Sequence, residues 1–185
     1  MLFLFPGFFE IQAAIFWHEY FITYSKIIIG MKNSEASVQV VNNLIQMNND
    51  RIDGYERAIK EAEGKDNTGD LISIFQACID QSRQYKMVLG KEVQVMGGDI
   101  DNTTTTSGKL YRVWMDIKNA FTGDDDRYSI LAACEKGEDA MKKAYEDALE
   151  SDDLPAYLRD IVMKQKEEQL RSHDEIKALR DAAKV

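Results

Sequence analysis

Four stretches of this chain carry apolar residues at helical spacing, and polar side chains interrupt each stretch near its midpoint. Amide, hydroxyl and carboxyl groups therefore recur where a hydrophobic core is expected. Burying such groups costs free energy unless each is hydrogen-bonded or bound to a metal ion. The candidate residues of this polar layer are Asn48, Ser82, Tyr85, Glu138, Gln169 and Ser172, and Gln165 interrupts the fourth stretch as well.

Carboxylate and imidazole groups near the layer give it the ligand types of a metal site. Glu138 is the central carboxylate, Glu135 lies one helical turn before it, and His173 lies beside the fourth stretch. One interpretation is a mononuclear site that uses Glu135, Glu138 and His173, with Asn48 as a further oxygen donor. The cofactor would then be a single metal ion.

A complete di-iron site is not expected. Carboxylate-bridged di-iron bundles take one Glu from each of two helices and a Glu-x-x-His pair from each of the other two. Here Asn48 replaces one Glu, and the paired positions read Ser82-x-x-Tyr85 and Gln169-x-x-Ser172. The interpretation that we favour needs no cofactor: a hydrogen-bonded layer that fixes helix register, as buried Asn does in coiled coils. A small ligand of another kind is a further alternative.

The elements that must position this layer are helices. Apolar residues alternate three and four apart from Val38 to Ala62, which predicts a helix over about 36–63 that Ser34 or Ser37 caps. A second helix is predicted over about 69–96, where Gly97 and Gly98 end it. Third and fourth helices follow over about 126–150 and 155–182.

The connections between the helices indicate the topology. Short loops make the first and second helices antiparallel, and likewise the third and fourth. Roughly 30 residues join the second helix to the third, enough to travel the bundle's length. This connection carries a predicted short helix with one apolar face, formed by Leu110, Trp114, Ile117 and Phe121. The expected fold is therefore all-α: a ferritin-like four-helix bundle with a long crossover.

Residues 1–30 differ from the rest of the chain, because they are aromatic and apolar while residues 31–185 are charged and periodic. The segment has no Lys or Arg before Lys26, so it lacks the basic region of a signal peptide. Glu10, His18 and Glu19 interrupt it, so no stretch is long enough to span a membrane. We expect residues 1–30 to be an over-extended gene start outside the native fold, and residues 31–185 to form the bundle. A membrane- or partner-contacting segment and an extra packed helix are the alternatives.

The net charge of −9 argues against a nucleic-acid partner, because an acidic surface repels phosphate backbones. Membrane contact is expected only if residues 1–30 are genuine, and a homo-oligomer is left open. Cys78 and Cys134 form no CxxC pair or zinc pattern. Inert buried thiols are the favoured interpretation and a redox pair the alternative. Few cysteines fit a cytoplasmic location.

Short motifs in every helix resemble a bacterial family of ferritin-like four-helix-bundle proteins of unknown function, over about residues 36–182. The motifs are the run 44–56, Gln81-Ser82-Arg83, Ser107-Gly108-Lys109, Trp114-Met115-Asp116, Glu135, Gly137-Glu138-Asp139, Tyr145, His173-Asp174 and Leu179-Arg180-Asp181. The resemblance implies the ferritin-like fold and, because residues 1–35 lie outside it, supports the over-extended start. It implies no activity. The family's pattern, like this chain, lacks the full di-iron ligand set.

The function that we expect from the sequence is non-enzymatic: a binding or stress-associated bundle protein with a central polar layer. The alternative is a metal-binding, oxidoreductase-like protein with a degenerate ferritin-type site. Convergence of Glu138, His173 and one more oxygen on an ion would favour the alternative.

Overall fold

A computed structural model of the chain describes residues 7–105 and 126–184. In the first helix, the side chains that it describes are those of residue 18, of residues 21–25 and of Ser34 onward. The four helices of this described part are α1 (Gly7–Ala62), α2 (Gly69–Val95), α3 (Asp126–Glu150) and α4 (Ala156–Ala182). The predicted all-α class is confirmed, and the ends of α2, α3 and α4 lie within one residue of the predicted ends. Among the described residues, no helix is long and apolar enough to cross a membrane.

The start of α1 was predicted wrongly. The helix begins at Gly7 instead of about residue 36, and the chain after Pro6 contains no proline that would interrupt it. Ser34 and Ser37, expected to cap the start, instead donate hydrogen bonds to the carbonyl groups of Met96 and Asp153, at 2.9 and 2.7 Å. They tie α1 to the end of α2 and to the α3–α4 turn. That residues 1–30 lie outside the native fold stays a prediction.

Glycines end the first two helices in the left-handed conformation that L-residues with side chains avoid. Gly64 follows α1 with φ of 79°, and Gly97 follows α2 with φ of 75°. After α2 the amide of Gly98 donates to the Val93 carbonyl at 3.0 Å, the long hydrogen bond of a Schellman motif. These turns reverse the chain direction after each helix.

Two apolar clusters, one on each side of the middle of the bundle, show how the helices run relative to one another. Each cluster takes residues from all four helices, and representative members are Tyr55, Phe75, Leu131 and Ile176 in the first and Leu44, Leu89, Tyr145 and Val162 in the second. The first cluster joins the C-terminal halves of α1 and α4 to the N-terminal halves of α2 and α3. Helices α1 and α2 are therefore antiparallel, α3 and α4 are antiparallel, and α2 and α3 run in the same direction.

The connection from α2 to α3 must therefore cover the length of the helices. Its described start runs along α1: Asn42 and Asn49 donate to the carbonyl groups of Asp99 and Thr103, at 2.9 and 2.7 Å. The Thr105 amide donates to Asp50 at 3.1 Å. The predicted short helix with Leu110, Trp114, Ile117 and Phe121 lies outside the described residues.

Candidate functional site

The centre of the polar layer is a buried ion pair between Arg51 of α1 and Glu138 of α3. Arg51 Nε lies 2.8 Å from Glu138 Oε1, and both side chains are 0% exposed. A buried charge is tolerated when a partner of opposite sign and further hydrogen bonds replace its water. The surrounding groups supply hydrogen bonds to the carboxylate and to Nε and Nη1 of the guanidinium, while Nη2 is buried without a partner among the described residues.

Both carboxylate oxygens of Glu138 accept hydrogen bonds from the protein. The Tyr55 hydroxyl donates to Oε1 at 2.5 Å, alongside Arg51. Gln169 Nε2 donates to Oε2 at 2.8 Å and to the backbone carbonyl of Glu138 at 3.0 Å. The carboxylate is thus held by α1 on one side and by α4 on the other.

The guanidinium of Arg51 connects the same pair to α2. Its Nη1 donates to Gln81 Oε1 at 2.8 Å, to the Ser82 hydroxyl at 3.0 Å and to the Cys78 carbonyl at 3.3 Å. Ser172 of α4 donates to the same Gln81 oxygen at 3.1 Å. The layer therefore joins all four helices through one positive and one negative charge.

Electrostatics favour the charged form of Arg51 and the neutral form of its neighbour Tyr55. Burial is the largest single influence on Arg51 and lowers its pKa, but Glu138, Tyr55 and Cys78 together outweigh burial and raise the pKa above its usual value. The pKa of Tyr55 is raised well above its ordinary range, first by burial and then by the charge of Glu138. Tyr55 is therefore a neutral hydrogen-bond donor.

A second buried network lies next to the layer. Asn48 Nδ2 donates to the Tyr145 hydroxyl at 3.1 Å and to the Leu44 carbonyl at 2.8 Å. The Tyr145 hydroxyl donates to Gln165 Oε1 at 3.0 Å. Burial raises the pKa of Tyr145, so this hydroxyl also stays protonated. A chain of hydrogen bonds thus runs from α1 through α3 to α4.

The three residues predicted as metal ligands contact different partners. Glu138 pairs with Arg51, Glu135 pairs with Arg180, and His173 places its two ring nitrogens 3.0 Å from the carboxylates of Asp139 and Asp174. Within residues 7–105 and 126–184, no group of three or more His, Cys, Asp or Glu side chains is arranged to hold a metal ion.

Six side chains were predicted for the polar layer. Glu138 forms the ion pair, Ser82 and Gln169 contact the pair directly, and Ser172 contacts it through Gln81. Asn48 belongs to the adjacent network with Tyr145. Tyr85 lies outside the layer and donates to Glu168 Oε2 at 3.0 Å.

Sequence analysis missed Arg51, which donates hydrogen bonds to Glu138 and to three groups of α2. A charged residue beside an apolar stripe is usually solvated, so its place gave no reason to expect burial. One signal was present: Arg51 lies three residues after Asn48 and four before Tyr55, which puts these polar groups on one helix face.

Two unpaired cysteines lie in the apolar cluster beside the layer. Cys78 and Cys134 are buried free thiols. Burial raises the pKa of Cys78 to about 11 and that of Cys134 well above its usual value. Both groups are therefore thiols rather than nucleophilic thiolates at neutral pH.

Comparison with models of protein families finds a match. The family model described as Domain of unknown function (DUF2383) matches residues 36–151, a segment that contains both Arg51 and Glu138. No curated protein matches the chain.

Replacing Arg51 with Met tests the energetic weight of the ion pair. The variant leaves the carboxylate of Glu138 buried without its counter-charge, so the free energy of unfolding should fall by about 3–5 kcal/mol. Urea denaturation followed by circular dichroism measures this loss. The matched control is Arg83→Met, since Arg83 is half exposed and pairs with Glu56 and Asp80 at the surface. The control should lie within about 1 kcal/mol of wild type, and equal losses in both variants would contradict the assignment.

Thiol titration tests the state of the cysteines. At mildly alkaline pH both thiols should react with a disulfide reagent far more slowly in the folded protein than in urea, because burial and the raised pKa suppress the thiolate. The raised pKa of Cys78 also makes folding prefer the protonated thiol. The contribution of this thiol to the free energy of unfolding is therefore fully present below a pH near 9, its pKa in the unfolded chain. The contribution is lost as the pH rises toward about 11, its pKa in the folded protein. Rapid native labelling of Cys134 would contradict this account.

Proposed function

The chain belongs to the DUF2383 family, and we propose that it is a non-enzymatic, ferritin-like bundle protein whose central layer is an internal ion pair rather than a metal centre. The observation that carries this proposal is the contact between Arg51 Nε and Glu138 Oε1 at 2.8 Å, with both side chains 0% exposed. The guanidinium supplies the positive charge that a metal ion would otherwise bring to the carboxylate.

The hydrogen bonds of Glu138 support this interpretation. Oε1 accepts from Arg51 and Tyr55, and Oε2 accepts from Gln169. A metal ion that bound this carboxylate would have to displace at least one of these donors. It would also lie close to the guanidinium charge, which repels cations.

The topology supports the ferritin-like part of the proposal. The antiparallel pairs α1–α2 and α3–α4, with α2 and α3 in the same direction, match the single long crossover of ferritin-like bundles. The di-iron members of that class place carboxylates and histidines at mid-bundle. In this chain the corresponding layer holds Arg51, Ser82, Glu138, Gln169 and Ser172.

We further propose that the protein is bacterial and cytoplasmic, and that it binds a partner or ligand in a stress-associated role. The free cysteines fit a reducing compartment. The net charge of −9 fits a partner other than nucleic acid. Self-association remains part of the proposal, and contact with a membrane depends on residues 1–30.

Elemental analysis tests the proposal against the metal-binding, oxidoreductase-like alternative. Protein purified without chelator should contain no stoichiometric metal. When ferrous iron is added anaerobically and then exposed to oxygen, it should be oxidised no faster with the wild type than with the Glu138→Ala variant. Glu167→Ala, which removes an exposed carboxylate of α4, controls for surface binding. Near-stoichiometric metal that Glu138→Ala loses and Glu167→Ala retains would overturn the proposal.

A further inference from the structure

A separate cleft of about 290 Å³ opens between α2 and α4, on the outer side of the second buried network. This volume lies just below the range of about 300–1,000 Å³ that is typical of small-molecule sites. The residues that line the cleft are Gln84, Tyr85, Val88, Ile161, Lys164, Gln165 and Glu168. Its wall therefore combines two apolar side chains with groups of both charges.

Gln165 is the buried polar group of this cleft. The side chain is 4% exposed, and its Oε1 accepts the hydrogen bond from Tyr145. Because the oxygen is engaged, Nε2 is left as a donor on a residue that lines the cleft. No hydrogen bond joins Nε2 to another described residue.

Glu168 and Lys164 place opposite charges one helical turn apart on the same wall. Glu168 Oε2 accepts from the Tyr85 hydroxyl at 3.0 Å, and Oε1 has no partner among the described residues. Lys164 forms no ion pair in the part of the chain that the structure describes. Neither charge neutralises the other, although both border the cleft.

We propose that this cleft binds a small zwitterion of the α-amino-acid class with an aliphatic side chain. The ligand carboxylate contacts Lys164 and Gln165 Nε2, and the ligand ammonium contacts the free oxygen of Glu168. The aliphatic group packs against Val88 and Ile161. A ligand with only one charge would leave one of the two cleft charges without a partner.

The surrounding hydrogen bonds prepare the cleft for this ligand. Burial, followed by the hydrogen bond to Glu168, raises the pKa of Tyr85, so its hydroxyl stays protonated and holds the carboxylate in place. The Tyr145 hydroxyl, which accepts a hydrogen bond from Asn48, donates to Gln165 Oε1 and holds that amide in place. Groups that are already oriented lose less conformational entropy on binding.

This inference goes beyond the role proposed for the central layer and does not depend on it. Residues Arg51 and Glu138 contribute nothing to the lining of the cleft. Metal found in the protein would overturn the proposed function and leave this inference standing. Failure of amino-acid binding would overturn this inference and leave the proposed function standing.

Isothermal titration calorimetry of the full chain with leucine, N-acetyl-leucine and leucinamide tests the inference. Leucine should bind saturably at concentrations up to millimolar, and each analogue should bind at least about tenfold more weakly, because each lacks one charge. Glu168→Gln should weaken leucine binding by about tenfold or more. The neighbouring exposed Glu167→Gln is the matched control and should bind leucine as wild type does.

A second variant keeps the test independent of folding. Lys164 is exposed, so Lys164→Met should leave the melting temperature unchanged and still weaken leucine binding. Absence of saturable leucine binding to the wild type would overturn the inference. Equal affinity for leucine and both analogues, or unchanged leucine affinity in both Glu168→Gln and Lys164→Met, would overturn it as well.

Discussion

The buried ion pair between α1 and α3 determines how the four described helices meet. Arg51 and Glu138 are both withdrawn from water, and desolvation of two charges is costly unless their geometry and hydrogen bonds compensate. The compensation comes from α1 through Tyr55, from α2 through Ser82 and from α4 through Gln169. A shift of any helix along its axis would leave at least one of these groups without a partner. We therefore regard the pair as the constraint that fixes helix register, with apolar clusters on either side.

The interior and the α2–α4 cleft have different chemical characters. In the layer, the charge of Arg51 is matched by that of Glu138, and the nearby thiols and tyrosine hydroxyls are protonated. This arrangement stabilises the fold and leaves little reactivity. In the cleft, opposite charges stand unneutralised at the edge of the solvent. Tyr145 and Gln165 connect the two regions, because the buried network that begins at Asn48 ends at the cleft wall.

Much of the fold was predictable from sequence, because periodic apolar residues and glycine stops specify helices locally. The polar interruptions also located the layer, as Glu138 and Gln169 show. The spacing of Arg51 from Asn48 and Tyr55 indicated a shared helix face, but its burial could not be inferred from that spacing, since it depends on a carboxylate 87 residues away in sequence. The contacts of His173 could not be predicted from the sequence either. Its place beside the apolar stripe of α4 suggested a metal ligand, yet its two ring nitrogens contact the carboxylates of Asp139 and Asp174. The start of α1 was missed because a change in composition was taken for a helix boundary.

The most direct test of the central claim is a double-mutant cycle on the ion pair. The free energy of unfolding would be measured for wild type, for Arg51→Met, for Glu138→Gln and for the double variant. Two residues that contact each other in the folded core should give a coupling energy of about 1–3 kcal/mol, so the double variant should be more stable than the sum of the single losses implies. A coupling energy near zero would show that the charges do not interact in the folded protein and would contradict this account.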